Sequence, residues 1–254
     1  IWAAKYYTLT IAENNGELTI AHETGSVVNP TVVYALYDSQ VLYYAESAPE
    51  YAGDGVAVSA LSAISGVRTG YVLGTLATTN NTINKGAAEF SAIYVTDAND
   101  TLTANWVANK YTIAFNGNTP TANNGYTHAA SETVKGSTAS ITGCEYDKQY
   151  TLTANGFTLT GWTFDSWNTA ADGTGTEYAN GKTYSNLTAE NGATVTLYAT
   201  WTANTYTIVY NGNGATSGDM ANQEFTYDAK PTALNTIKYA KTGYTFIGWT
   251  SSVA

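Results

Sequence analysis

A chain of 254 residues is long enough for two or three domains, and its 44% hydrophobic and 13% aromatic content supplies ordinary cores and excludes a disordered chain. Twenty acidic residues against ten basic ones leave a net charge of −10, which repels phosphate backbones and anionic lipid and argues against nucleic-acid and membrane-surface partners. Charged residues make up only 12% of the chain, about half of the roughly 25% usual in globular domains, so the polar surface rests on Thr, Asn, Ser and Tyr.

The chain repeats itself. Trp106-Val107-Ala108-Asn109-Lys110-Tyr111-Thr112-Ile113 returns 95 residues later as Trp201-Thr202-Ala203-Asn204-Thr205-Tyr206-Thr207-Ile208, and self-similarity of this kind sets the module before any single element is read. A second landmark occurs three times: Thr69-Gly70-Tyr71-Val72-Leu73, Thr160-Gly161-Trp162-Thr163-Phe164 and Thr242-Gly243-Tyr244-Thr245-Phe246. Three modules follow, a divergent one at 3–106 with an insert, one at 107–201 and a partial one at 202–254.

In chain order, Ile1-Trp2-Ala3-Ala4-Lys5-Tyr6 reads as the close of a preceding unit and a new start, so the chain reads as a slice of a longer array. The first module carries its own insert from Val27 to Gly66. A helix is expected at Val56–Ser65, entered from Asp54-Gly55 and left at Gly66, with Ala57, Ala60 and Ile64 on one face as core contacts. The module closes with Thr101-Leu102-Thr103-Ala104-Asn105-Trp106.

In the second module Tyr111-Thr112-Ile113-Ala114-Phe115 alternates, with Tyr, Ile and Phe on one face. Period two with β-branched and aromatic residues predicts a strand with one buried face, and Asn116-Gly117 then favours the positive φ of a tight turn. Asp172-Gly173 and Asn180-Gly181 mark further turns, and a single helical turn is expected at Leu187–Asn191. The closing strand sets Leu197, Ala199 and Trp201 opposite Thr196, Tyr198 and Thr200, which makes Trp201 a core plug. Tyr206-Thr207-Ile208-Val209-Tyr210 and Asn211-Gly212 restart the pattern in the third module. The fold class is mainly β, with little helix.

The order Tyr206 to Gly214, Gly218-Asp219-Met220, Phe225-Thr226-Tyr227 and Thr242-Gly243-Tyr244-Thr245-Phe246-Ile247-Gly248-Trp249 resembles the Listeria–Bacteroides repeat, the internalin-type B repeat of bacterial surface proteins. Trp167-Asn168-Thr169 to Tyr178 and Val195-Thr196-Leu197-Tyr198-Ala199-Thr200-Trp201 supply the rest of that pattern. The resemblance covers residues 107–254 and extends only in outline to 3–106. It implies small β-grasp-like α+β modules, strung in tandem as an elongated array on secreted or wall-anchored proteins, and brings no shared catalytic residues. The second module departs from the pattern between Thr119 and Gly156, where about 13 extra residues sit relative to the third.

Chemistry-bearing residues are sparse. His22 and His128 fall in different modules and in polar surroundings, so both read as exposed turn residues. Cys144 is the single cysteine; without a neighbouring His or second Cys it reads as an idle or buried thiol, and no intrachain disulfide is possible. Asp165, Asp172 and Glu177 could pair as acids but match the repeat's hairpin turn. Asp97-Ala98-Asn99-Asp100 clusters oxygen ligands yet lacks the alternation and closing Glu of an EF-hand loop. The sequons at Asn80, Asn99 and Asn186 predict almost nothing in a bacterium. Lys5 and Lys110, at strand starts, raise the thought of a Lys–Asn crosslink, with a solvated lysine as the simpler reading. No catalytic, cofactor-binding or metal-binding residue is assigned, and no cofactor is expected. No apolar run approaches the length of a membrane span and no signal-peptide pattern is read in these residues; in a slice of a longer array such signals are expected outside it.

The expectation is a non-catalytic extracellular structural protein, a bacterial surface stalk, adhesin or fibre segment. Strands rich in Thr and Tyr and poor in Lys and Pro leave edges open to pairing. Partners are therefore copies of the chain, through sheet edges or head-to-tail contacts, or a cell-surface glycan; membrane insertion is not expected. The alternative is a glycan-binding adhesive module using exposed aromatics, drawn from 21 tyrosines and 6 tryptophans.

Overall fold

A computed structural model describes residues 6–22, 25–30, 32–36, 42–44, 56–58, 64–77, 82–84, 99–120 and 133–251. Its first ten strands are β1 (Tyr6–Ala12), β2 (Glu17–His22), β3 (Gly25–Val28), β4 (Val32–Leu36), β5 (Leu42–Tyr44), β6 (Val56–Val58), β7 (Ile64–Val67), β8 (Tyr71–Ala77), β9 (Thr82–Asn84) and β10 (Asp100–Ala108). Seven form one sheet in the order β6-β5-β4-β1-β10-β8-β9, and a second sheet runs β3-β2-β7. At the centre of the larger sheet β1 and β10 lie side by side and parallel, from Leu9 opposite Asp100 to Ala12 opposite Thr103. A parallel pair needs a long crossover, and the chain from β2 to β9 supplies it.

The remaining strands are β11 (Lys110–Asn116), β12 (Lys135–Gly136), β13 (Ile141–Glu145), β14 (Gln149–Thr151), β15 (Phe157–Thr158), β16 (Trp162–Asn168), β17 (Glu177–Tyr178), β18 (Thr183–Ser185), β19 (Thr194–Ala203), β20 (Thr205–Ile208) and β21 (Gln223–Thr226). They form a five-stranded sheet, β13-β11-β19-β16-β17, and three pairs, β12-β15, β14-β18 and β20-β21. The described residues contain no helix. The mainly β fold class holds, while the two helical expectations fail. Residues 56–58 and 64–65 of the expected helix are strand, and 59–63 lie outside the described residues. Val56 and Val58 are β-branched and their strand pairs with β5, so cross-strand pairing overrides a 3.6-residue spacing. Ile64 is nonetheless buried in the core. Residues 187–191 form bends and turns.

The chain divides into two compact units, one made of Ile1–Thr112, Ile141–Tyr150 and Thr183–Val195, the other of Ile113–Ser140, Thr151–Lys182 and Thr196–Ala254. In the first unit Leu9, Leu18, Ile20, Val33, Ile64, Leu73, Leu76, Leu102 and Ala104 form one buried cluster, with Ile11 and Trp106 packed on it. Each fully buried Leu or Ile contributes about 1.5–3 kcal/mol.

The second unit is organised around Trp167, which is fully buried. Phe115, Phe157 and Phe164 surround it at centroid distances of 4.7, 6.2 and 5.0 Å, all inclined to its plane, the geometry that aromatic quadrupoles favour. The two closing tryptophans behave differently from the expected plug. Trp106 and Trp201 are half-buried, and each donates its indole N–H to a carbonyl near the start of its repeat, Trp106 to Glu13 at 2.8 Å and Trp201 to Gly117 at 2.9 Å. They clamp the strand end rather than fill the centre.

The expected alternation is present in β11, where Tyr111 and Ile113 are buried, but not in β20, where Tyr206 is half-exposed and stacks on Phe225 at 5.6 Å. The turn after the strand also differs. Its positive φ falls on Asn118 (45°) and Asn213 (44°) rather than on the Asn-Gly pair, because the side chains of Asn116 and Asn211 each accept the backbone N–H two residues on, at 2.8 Å, an Asx turn.

Replacing Trp167 by Ala leaves a ring of three phenylalanines around a void. The expected loss is about 3–5 kcal/mol, measured as a fall in the urea midpoint of the second unit followed by hydrogen exchange at Ile113 and Leu197.

Candidate functional site at the repeat joints

Each landmark glycine sits in the same tight turn. The N–H of Tyr71, Trp162 and Tyr244 reaches back to the carbonyl of Arg68, Leu159 and Lys241 at 3.0, 3.2 and 3.0 Å, and Gly70, Gly161 and Gly243 adopt φ of 77°, 76° and 79°. Only glycine takes that conformation without strain. At two of the turns glycine is required for a second reason. A Cβ on Gly70 would stand 2.2 Å from the ring of Tyr146, and one on Gly161 2.3 Å from the ring of Tyr227.

Those contacts belong to a joint built twice with the same hydrogen bonds. In the first, Asn109 donates its backbone N–H to the carbonyl of Gly70 at 2.8 Å, and its own carbonyl accepts from the N–H of Tyr146 at 2.9 Å. In the second, Asn204 donates to Gly161 at 2.9 Å and accepts from Tyr227 at 2.8 Å. The tyrosine opens a turn closed by Lys148 N–H on the Glu145 carbonyl and by Ala229 N–H on the Thr226 carbonyl. Asp147 and Asp228 follow with φ of 61° and 51°, a left-handed conformation that Asp tolerates.

Each aspartate then accepts from the aromatic residue after the landmark glycine, Asp147 from the Tyr71 hydroxyl at 2.7 Å and Asp228 from the Trp162 indole N–H at 3.1 Å. The first joint adds charge: the Arg68 guanidinium lies 3.8 Å from the Tyr71 ring centroid, a cation–π contact, and Tyr71 meets Tyr146 edge-on at 5.9 Å. Asn186 donates its amide to Asp147 at 2.8 Å and accepts the Asp147 N–H at 2.6 Å. The Asn186 amide bond first, then the Tyr71 hydroxyl bond, hold the Asp147 carboxyl below the usual range, with Arg68 adding to the effect. The same Asp147 bond is the main cause that raises the Tyr71 phenol. Asn109 anchors the joint further by donating its side-chain amide to the Ala189 carbonyl at 2.6 Å.

The chemically interesting residues of the sequence lie elsewhere. Cys144 is fully buried, and its thiol approaches the Ile141 carbonyl at 3.6 Å. Lys110 is 61% exposed and pairs with Glu145 at 3.4 Å, where Glu145 also meets Lys148. Asp172 caps its own loop by accepting from the Thr174 N–H and hydroxyl at 3.0 and 2.7 Å, and that hydroxyl bond lowers its pKa. Asp165 and Glu177 are exposed in β16 and β17. Asn99 accepts from the Thr8 N–H and Asp100 from the Thr101 N–H. His22 lies in β2 without a described side chain; His128, Asp97 and Lys5 fall outside the described residues. Among the described residues no three His, Cys, Asp or Glu side chains gather as a metal site.

The sequence reading found the glycines but missed Asn109, Asn204 and the two Tyr-Asp turns. A signal exists: Tyr-Asp occurs three times in the chain, at 37–38, 146–147 and 227–228. Its spacing follows neither the 95-residue offset of the strands nor the landmark spacing, because the extra residues between Thr119 and Gly156 intervene.

This recurrence agrees with comparison to known proteins. Residues 111–200 and 206–253, together more than half of the chain, match the Listeria-Bacteroides repeat domain. The chain belongs to that repeat family. It is similar to two proteins of Evansella cellulosilytica, one provisionally named a Gly-rich membrane protein, 32% identical over 158 residues, and one provisionally named a membrane protein, 31% identical over 153. The matches cover 61% and 58% of this chain but 16% and 19% of the relatives, so the chain spans less than a fifth of their length. No solved structure matches it significantly. No helix among the described residues is long and apolar enough to cross a membrane.

Two outcomes test the joints. Gly70→Ala and Gly161→Ala each place a methyl inside a tyrosine ring at positive φ, and each is expected to cost more than about 1 kcal/mol and to speed hydrogen exchange at the Tyr146 or Tyr227 amide. Gly243→Ala, whose Cβ meets nothing within 4 Å among the described residues, leaves both amides unchanged. The second is pH. A lowered Asp147 contributes stability above the ordinary carboxylate range that is lost as pH falls through its depressed value, and a raised Tyr71 contributes stability that is lost as pH rises through its elevated value. Protection of the Tyr146 amide is therefore flat around neutrality and falls at both extremes; Asp147→Asn abolishes the acid-side fall.

Proposed function

We propose that this chain is a non-catalytic structural segment of a bacterial surface protein, a stalk, adhesin or fibre piece whose work is spacing and cohesion. The observation that carries the reading is the joint made twice from the same parts, a glycine carbonyl, a bridging Asn backbone and a Tyr-Asp turn. A feature built twice at corresponding places serves the array and not one reaction. Its bonds are mostly between backbone groups, so they persist while side chains diverge. The membrane-protein names of the Evansella relatives support an envelope location, outside the cytoplasm.

The composition suits that role. Few charges and many Thr and Asn side chains make a surface that responds little to salt. The titratable groups with shifted pKa values at the surface are tied up in structure: Asp147 in the first joint, Asp172 in its loop, Glu145 between two lysines. Catalytic acids and bases are instead held poised in a cleft. The glycan-binding alternative draws less support, since Trp162 and Trp167 are buried and Trp106, Trp201 and Trp249 half-buried, leaving them poor stacking platforms.

Protease shaving of intact cells that make the protein tests the reading. Peptides from 107–251 are expected in the released fraction. Recovery of those peptides only after lysis, from the cytosolic fraction, overturns the surface assignment.

A further inference from the structure

The chain holds eight Asn-Gly pairs, at 15–16, 116–117, 124–125, 155–156, 180–181, 191–192, 211–212 and 213–214; all but 124–125 lie within the described residues. The turn chemistry that selects this pair also sets up a reaction. The backbone nitrogen of the glycine can attack the side-chain Cγ of the asparagine, because no Cβ stands in its way. The nitrogen gives its proton to water, the N–Cγ bond forms, the Cγ–Nδ2 bond breaks, and ammonia leaves with a proton taken back from water. The product is a five-membered succinimide. Water then adds to either ring carbonyl and opens the ring to aspartate or isoaspartate. The sum is asparagine plus water to aspartic acid plus ammonia, with nothing oxidised or reduced.

Folding sorts the seven described pairs by what holds the attacking nitrogen. Gly16 donates its N–H to the Glu13 carbonyl at 3.2 Å, Gly192 to the Lys110 carbonyl at 2.7 Å and Gly156 to the Thr138 hydroxyl at 2.9 Å. Each of these must lose a hydrogen bond before it attacks. Gly117 is buried with the Trp201 indole on its carbonyl, and the Gly212 Cβ position lies 2.9 Å from the Tyr239 ring; Asn116 and Asn211 before them are tied into Asx turns. At Asn213-Gly214, Lys241 Nζ donates to the Asn213 carbonyl and so holds the peptide that would have to turn.

Asn180-Gly181 differs on every count. Both residues are exposed in the turn between β17 and β18. Among the described residues nothing stands within 4 Å of the Gly181 Cβ position, and no acceptor meets its N–H. The Lys182 N–H closes the turn on the Ala179 carbonyl at 3.4 Å, longer than the roughly 2.7–3.2 Å of a good bond, so the turn opens at little cost. The carbon under attack is also activated, since Asn180 Oδ1 accepts the Asn155 backbone N–H at 2.9 Å. That donor faces the oxygen on which negative charge develops as nitrogen adds to Cγ, the part played by a donor in an oxyanion hole.

The structure assigns Asn180 as a self-modifying site, which converts to aspartate and isoaspartate in water without an enzyme while folding holds back the other described pairs. The two products act differently on the turn. Aspartate keeps the bond from the Asn155 N–H and makes it charge-assisted. Isoaspartate carries the main chain through the former side chain, which lengthens the turn and removes that acceptor. Either product adds one negative charge to a chain already at −10. The inference is independent of the surface role, because the reaction needs only water.

Timed incubation of the 254-residue chain at mildly alkaline pH, folded and in guanidinium chloride, tests it. Peptide mass spectrometry reads the mass gain of amide to acid at each pair. The pairs are expected to convert at similar rates in denaturant. In the folded chain Asn180 keeps at least its denatured rate, whereas Asn155 and Asn191 slow by about tenfold or more, the worth of the hydrogen bond on the attacking nitrogen. Gly181→Ala, whose Cβ crowds that nitrogen, slows Asn180 about tenfold and leaves Asn155 and Asn191 as they were. Folding that slows Asn180 as much as Asn155 and Asn191 overturns the inference, since the turn then shields its asparagine like the rest. Equal rates at all pairs in the folded chain also overturn it, since packing then selects nothing. Neither result alters what surface shaving reports.

Discussion

A hydrogen bond to the carbonyl of a left-handed glycine is the constraint on which the rest of each joint depends. At Gly70 and Gly161 the positive φ turns the carbonyl toward the bridging asparagine, and the missing Cβ leaves room for a tyrosine ring from the following stretch of chain. Any other residue loses both at once: the conformation becomes strained and the ring is displaced. With the ring displaced, the backbone of Tyr146 or Tyr227 no longer reaches Asn109 or Asn204, and the aspartate beyond it no longer reaches Tyr71 or Trp162.

The two joints show how such a device tolerates divergence. Backbone geometry is common to both, while the side-chain part changes from a phenol with an arginine beside it to an indole with a leucine beside it. In both, an N–H or O–H at the tip of an aromatic ring meets a carboxylate. The aromatic supplies apolar area and a donor together, so the exchange of Tyr for Trp keeps the contact. The first version adds titratable chemistry through Asp147 and Tyr71, which makes it the pH-sensitive member of the pair. In the non-catalytic structural role proposed above such variation is tolerated, because that role requires no reacting atoms to be aligned.

Much of this was legible in the sequence. Tyr111, Ile113, Leu197 and Ala199 are buried as their period-two pattern requires, since alternation follows from strand geometry alone. The recurrence of Trp106-Val107-Ala108-Asn109 as Trp201-Thr202-Ala203-Asn204 set the repeat, period-two strands set the mainly β class, and Trp167 to Tyr178, Val195 to Trp201 and Tyr206 to Gly214 carried the family likeness. Other positions were misread where the partner lay far along the chain. Val56 to Val58 looked helical by spacing and is a strand because β5 pairs with it. Trp201 looked like the centre of a core, yet the fully buried tryptophan is Trp167, which three phenylalanines enclose.

The sequence by itself determined the repeats, the faces of β11 and β19 and the position of the landmark glycines, because each is a matter of local spacing. Only the tertiary structure decided what the glycines are for. The tyrosine that covers Gly70 lies 76 residues away and the one that covers Gly161 lies 66 away, separations that differ because loops of different length intervene. A loop changes the spacing in sequence without changing the point where the two surfaces meet, so the joint is constant in space and hidden along the chain.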